Sequence, residues 1–173
     1  MNLVLKATQF AALKHREQKR KDGKTPYIIH PISVAMILAE IGGVDDPEIL
    51  SAALLHDTIE DTDTSAQELD KEFGPRIRII VEELTDNNQL TISQRRQLQI
   101  DNAPHLSKDA TLVKIADKTS NVSDVIKNPP PEWNQKRCTE YVDRTEAVIN
   151  NCQKVNQDLE NHFFELITEY RKL

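Results

Sequence analysis

Three prolines, Pro31, Pro47 and Pro75, each head a stretch whose apolar residues return every three or four positions. Proline fixes φ and lacks an N–H, so it suits the first turn of a helix and spoils a helix interior. Pro31 leads through Val34, Ala35, Ile37 and Leu38 to the glycines at 42 and 43. Pro47 opens the stretch that carries Ala52, Ala53, Leu54 and Leu55 into His56, and Pro75 leads through Ile77, Ile80, Val81 and Leu84. The same period places Leu3, Ala7, Phe10, Ala11 and Leu13 on one side of a helix predicted over residues 3–19. Ser65, with Glu68 three positions on, predicts a capping box for a short helix ending near Gly74. Further helices are predicted at about 92–102 and 110–127, and one or two polar helices over 133–171 close the bundle. Loops fall at "GKTPYIIHP", "TDNNQL", "NAPHLSKDA" and the rigid connector "NPPPEW".

The expectation is an all-α fold. With only four glycines and 5% aromatics, the composition leans away from a β-sandwich or barrel. A length of 173 residues suits one domain with a real core, taken over 1–173. The net charge of −6 argues against nonspecific nucleic-acid binding, so an anionic ligand needs a local positive patch. No apolar stretch approaches the ~20 residues that span a bilayer, so no membrane partner is expected. "MNLVLKATQF" lacks the apolar core and cleavage site of a signal peptide, which makes a cytoplasmic protein the default. Cys138 and Cys152 have no metal-type spacing and read as free buried thiols.

The apolar run at 52–55 ends abruptly in "HDTIEDT". One imidazole and three carboxylates, His56, Asp57, Glu60 and Asp61, follow where a hydrophobic segment stops. Burying carboxylates is costly unless they are paired, hydrogen-bonded or coordinated to a metal. His30 stands just before Pro31, where its ring would project from a helix N-terminus. Asp117 interrupts "TLVKIADKTSNVSDVI", in which Leu112, Ile115, Ala116, Val122 and Ile126 fill one arc and Asp117, Asn121 and Asp124 flank it. His30, His56, Asp57 and Asp117 are therefore candidate ligands from three segments. This mixed N/O set suits a borderline-to-hard divalent cation such as Mn²⁺, Fe²⁺ or Zn²⁺. The lack of Cys ligands argues against a structural zinc site. His105 and His162 read as ordinary surface or locally bonded residues.

With "PYIIHP" upstream and "LVKIADKTSN" downstream of "HDTIEDT", the chain resembles the hydrolase domain of the RelA/SpoT family. It is most similar to the stand-alone small alarmone hydrolases, a group that includes the metazoan SpoT homologue. The resemblance runs from "AALKHREQKRKDGKTPYIIHP" through "VEELTD" to "EYVDRTEAV". It implies a single HD-type helical bundle that removes the 3′-pyrophosphate of (p)ppGpp with Mn²⁺, one ion per chain. By position, His30, His56, Asp57 and Asp117 would hold the metal, and Glu60 and Asp61 would position and activate the attacking water. Arg20, Lys21, Asn121 and Tyr141 would contact the nucleotide. No synthetase, TGS or ACT region is present, so hydrolysis without synthesis is implied.

Phosphoryl transfer needs negative charge neutralised and a nucleophile placed in line. A metal does both, as Lewis acid and as a source of hydroxide near neutral pH. Glu60 and Asp61 lie at i+4 from His56 and Asp57, within reach of such a water. Lys14, Arg16, Lys19, Arg20, Lys21 and Lys24 crowd the approach to His30 and read as a phosphate-binding run. Tyr27 and Tyr141 could each stack on a base or pack, packing being the better reading for Tyr27.

The sequence departs from the family at Thr119 and Ser120, where a Leu and a His or Tyr are usual, and at Ser123, where an Arg is frequent. Both changes remove bulk or charge near the nucleotide, which leaves the choice among ppGpp, pppGpp, ppApp and NADPH open. The rival readings are a phosphatase of another nucleotide, through NADPH 2′-phosphate removal or an adenosine alarmone, and a nucleotide-binding sensor without turnover.

Overall fold

The computed structural model describes residues 2–173. Its ten α-helices are α1 (Leu3–Lys14), α2 (Ile29–Glu40), α3 (Pro47–Leu55), α4 (Thr58–Asp61), α5 (Ala66–Phe73), α6 (Pro75–Leu84), α7 (Ile92–Asn102), α8 (Lys108–Lys127), α9 (Gln135–Asn151) and α10 (Gln157–Tyr170). A single 3₁₀ turn, Ala103–His105, links α7 to α8. Among the described residues there is no strand, only an isolated bridge between Lys19 and Pro26. Among the described residues no helix is long and apolar enough to cross a membrane.

The sequence punctuation appears as capping. Pro47 and Pro75 are the first residues of α3 and α6, while Pro31 sits inside the first turn of α2. Asp46 caps α3 by accepting from the Glu48 N–H, which satisfies one of the orphan donors of a helix start. Ser65 accepts from Glu68 N–H at 3.1 Å, half of the expected capping box. The full box is at Thr91 and Gln94. Gly74, at φ 89°, closes α5 and opens α6, a conformation that an L side chain rarely adopts.

α8 is the central post, packed against α2, α3, α6, α9 and α10. It is buried on most of its circumference, with Thr119 and Ser120 buried alongside Ile115 and Val122. Leu54, Leu55, Ile77, Ile80, Val81, Val113 and Ile115 form the core beneath the site. Fully burying one such side chain contributes about 1.5–3 kcal/mol.

α1 ends at Lys14, short of the 3–19 expected. The backbone turns at His15 because a hairpin-like loop captures the following groups. Tyr27 N–H donates to Gln18 O, and Arg20 N–H donates to Thr25 O, both at 2.9 Å. Leu13, placed by the period on the apolar side, is 62% exposed. Cys138 and Cys152 are free and buried, as read.

Candidate active site

His30 enters from the first turn of α2, His56 and Asp57 from the break between α3 and α4, and Asp117 from the middle of α8. The helical break matters: consecutive helix residues point ~100° apart, and the bend lets His56 and Asp57 flank one point. His30 Nε2 lies 3.1 Å from Asp117 Oδ1 and 3.6 Å from Asp57 Oδ2. His56 Nε2 lies 3.0 Å from Asp57 Oδ2 and 3.7 Å from Asp117 Oδ1. Both rings are buried and meet edge to face, with centroids 5.2 Å apart.

Neighbours fix what these rings present. His56 Nδ1–H donates to Ala53 O at 2.7 Å, so in the neutral ring the Nε2 lone pair faces the carboxylates. His30 Nδ1 is 3.2 Å from Ser120 Oγ. Ser120 thus supports the His30 ring from behind, and it also lines a pocket of about 180 Å³ together with Arg20, Lys21, Asn121 and Tyr141. Tight α2–α8 packing turns that face of α8 inward. Thr119 likewise bonds Ile115 O within its own helix.

The titration pattern is that of a buried charge cluster. Burial alone would raise the Asp57 carboxyl; His56 beside it outweighs burial and holds it well below the usual carboxylate range. Asp117 is lowered against burial by Lys118 and both imidazoles. Burial opposes a charged His56 ring, yet Asp57 and Asp117 raise its pKa well above the ordinary value. Burial wins at His30, whose pKa is lowered despite Asp117.

This donor set fits a divalent cation. Ligand atoms of His30, His56 and Asp117 all lie within 4.8 Å of one another. His56 Nε2 is buried without a well-aligned hydrogen-bond partner, although Asp57 Oδ2 is close. Asp57 sits at the rim of the cluster, its Oδ2 also accepting from Tyr27 OH at 2.6 Å. Tyr27 packs against His15 and His30, as its packing reading anticipated, but its hydrogen bond to Asp57 had no sequence signal.

One cavity of about 330 Å³ is lined by His30, His56, Asp57, Asp117, Glu60, Asp61, Arg20, Lys21, Asn121 and Tyr141, every candidate site residue read from the sequence. Glu60 Oε1 accepts from Asp86 N–H at 2.6 Å, and burial foremost raises its pKa to about 7. Asp61 is exposed and is held by Gln18 Nε2 at 2.9 Å. Asn121 Nδ2 donates to Asp117 Oδ1 at 2.6 Å. Arg20 donates to Asn121 Oδ1 at 2.9 Å and to Asp124 Oδ2 at 2.7 Å.

The basic run divides. Lys19, Arg20 and Lys21 line the cavity, whereas Lys14 turns away to Asp63 and Glu68. A second, larger cavity of about 920 Å³ adjoins the first and shares Lys21, Lys118, Gln99 and Tyr141 with it. Arg96, Lys136, Arg137 and Arg144 add to its cationic lining, and Lys21 Nζ stands 4.7 Å from the Trp133 ring centroid. The sequence reading passed over Arg96 from α7, Lys118 from α8, and Arg137 and Arg144 from α9.

The family model of the HD domain matches residues 7–145. The chain belongs to the HD-domain family. An HD hydrolase works with a divalent metal, and the imidazole–carboxylate cluster above is where this one can hold it. This HD domain is 46% identical over 166 residues to the Xenopus tropicalis protein called guanosine-3′,5′-bis(diphosphate) 3′-pyrophosphohydrolase MESH1, covering 94% of this chain and 93% of that one. The human protein of the same name is also 46% identical over 166 residues, with the same coverage. A solved structure described as a metazoan orthologue of SpoT that hydrolyses ppGpp superposes with a TM-score of 0.95 at 39% identity, covering 100% of this chain and 98% of that one.

Proposed function

We infer that this HD domain is a guanosine-3′,5′-bis(diphosphate) 3′-pyrophosphohydrolase, an enzyme that hydrolyses the 3′-pyrophosphate of (p)ppGpp. The observation that carries the inference is the convergence of the imidazole–carboxylate cluster, Glu60 and Asp61 on one cavity that opens onto a cationic one. Relatives named for this activity share nearly the whole chain.

The residue roles are our proposal. His30, His56, Asp57 and Asp117 hold the cation, for which Mn²⁺ suits the mixed N/O set. Bound there, the cation supplies positive charge against phosphate oxygens and acidifies a water molecule. Glu60 takes the proton from the water that attacks the phosphorus joined to the ribose 3′-oxygen. The P–O bond to that oxygen breaks, the oxygen ends protonated, and pyrophosphate and the nucleoside 5′-diphosphate (or 5′-triphosphate, from pppGpp) leave. A carboxyl with a pKa of about 7 is matched to this transfer near neutral pH. Asp61, oriented by Gln18, holds the water from its other side. Asn121 keeps the Asp117 carboxylate turned to the cluster. Arg20, Lys21 and Tyr141 take the nucleotide's ribose and base, and the large cationic cavity receives its remaining phosphates.

We place the activity in one HD-type unit over 1–173, acting in the cytoplasm on a small nucleotide. Incubation of ppGpp, ppApp and NADPH with protein and Mn²⁺, resolved by anion-exchange chromatography, tests the reading. GDP and pyrophosphate from ppGpp are the expected products. Release of phosphate from NADPH alone would give the site to the rival phosphatase, and bound but unchanged ppGpp would make it a sensor.

A further inference from the structure

Lys114 lies on α8 one turn before Asp117 and Lys118 and is only 8% exposed. It lines the cavity that contains the imidazole–carboxylate cluster and Glu60, and forms the wall toward a smaller pocket floored by Asp86, Gln99 and Leu106. Of the other cations lining this cavity, Lys19 is exposed and the rest have partners. Arg20 bonds Asp124 at 2.7 Å, and Lys118 Nζ is 3.4 Å from Asp117 Oδ2. Lys21 rests over the Trp133 and Tyr141 rings. The Lys114 ammonium has neither a hydrogen bond nor an ion pair among the described residues. The carboxylates of Asp117, Asp86 and Glu60 act on it only at longer range, while burial foremost and then Lys118 lower its pKa.

A mostly buried ammonium without a close anion is costly to keep charged, and an anion entering the cavity it lines would relieve that cost. Lys114 does not line the large cationic cavity, which places it with the reacting end of a nucleotide and away from the other phosphates. Five carboxylates, Asp57, Glu60, Asp61, Asp86 and Asp117, already line that cavity, and a multiply charged pyrophosphate entering among them needs cations besides the metal.

We propose that Lys114 binds the substrate's 3′-pyrophosphate through its non-bridging oxygens and stays with the pyrophosphate as it departs. The proposal deepens the hydrolase reading and rests on it for the identity of the anion. Lys114 is then a specificity device as well, because a 2′-phosphate monoester would reach it with fewer oxygens.

Inorganic pyrophosphate is the probe. Titrated into metal-free and metal-loaded protein, it should bind Lys114→Met at least about tenfold more weakly than wild type, the loss expected for one charge-assisted contact. Metal content should stay level, kcat on ppGpp should fall, and Lys114→Arg should regain part of both losses. Unchanged pyrophosphate affinity in a folded Lys114→Met would reduce Lys114 to a counter-ion for Asp86 and Glu60. If that variant does not fold, the lysine side-chain NMR signals of the metal-free wild type decide. A shift of the Lys114 signal on adding pyrophosphate supports the contact, and a static signal overturns it. Hydrolysis of ppGpp with a static Lys114 signal sinks this proposal and leaves the hydrolase reading standing. A moving signal without hydrolysis does the reverse.

Discussion

Ser120 Oγ lies 3.2 Å from His30 Nδ1, while the other ring nitrogen of His30 faces Asp117 Oδ1 at 3.1 Å. The serine is therefore a support for a ring in the cluster. Removing such supports typically costs 10–100-fold in metal affinity. Ser120→Ala is expected to weaken divalent-ion binding by about tenfold or more, leaving the ranking of nucleotide substrates unchanged. Ser120→Tyr adds bulk at a buried position and is expected to lower the melting temperature. Competition against a chelating dye, with a nucleotide panel beside it, measures both effects. A changed nucleotide ranking with unchanged metal affinity would return Ser120 to the substrate side.

Asp117 is the one carboxylate whose oxygens lie near both imidazoles and the Lys118 ammonium. Asp117→Asn removes the charge and leaves the shape. Wild type is expected to carry about one divalent ion per chain, as a single mixed imidazole–carboxylate site implies, and the variant to lose most of it. Elemental analysis of dialysed protein gives the answer, and equal content in the two would take Asp117 out of the ligand set.

Arg20 is already engaged by Asp124, so a phosphate must compete for it. Arg20→Ala is expected to raise KM for ppGpp by about tenfold at low salt, with the difference shrinking as salt screens the contact. Asp124→Asn frees the guanidinium and is expected to leave KM level or lower it. Steady-state kinetics at two ionic strengths distinguish a phosphate contact from a purely structural pair. A KM for Arg20→Ala equal to wild type at low salt would end the phosphate role.

Gln18 links a buried ring to an exposed acid: its Oε1 is 2.7 Å from His15 Nδ1, and its Nε2 donates to Asp61 Oδ2. Gln18→Leu keeps the size and drops both bonds. The expected result is a kcat lowered by about tenfold, with KM and metal content level, a smaller loss than the roughly 10²–10⁴-fold range of a proton-transfer group itself. A raised KM with unchanged kcat would show that Gln18 serves binding instead.

What could be read beforehand follows how locally each feature is determined. Pro47 and Pro75 announce their helices because the missing N–H and fixed φ act within one turn. "HDTIED" was legible because its one imidazole and three carboxylates lie within six positions of a single apolar run. The end of α1 was not, because it depends on hydrogen bonds between residues 18–20 and 25–27 that the helical period cannot see. The contact of Ser120 with His30 was not legible either, because a helical period gives direction without saying which neighbour stands there. Arg96, Arg137 and Arg144 carry no local pattern; only the packing of α7, α8 and α9 gathers them at one cavity.

Glu60 tests proton transfer and carries a pH signature. Its folded pKa, about 7, is raised above the ordinary 4.5, chiefly by burial, so the folded state favours the protonated acid. By linkage, that contribution to stability is fully present below about 4.5 and is lost as pH rises through about 7. Glu60→Gln keeps the shape, stays neutral, and can still accept from Asp86 N–H. The metal-free variant should therefore gain stability relative to metal-free wild type between pH 5 and 8.5, as followed by urea denaturation. A cation nearby draws the Glu60 value down, so the rising limb of kcat against pH in the loaded enzyme should lie at or below about 7. Glu60→Gln should lower kcat by at least about a hundredfold, with metal content and nucleotide affinity near normal. Asp61→Asn should lower it too, and the double variant should lose less than the product of the singles if the two acids share one water. Metal lost from Glu60→Gln would make Glu60 a ligand. A retained rate would mean that the water needs no carboxylate base.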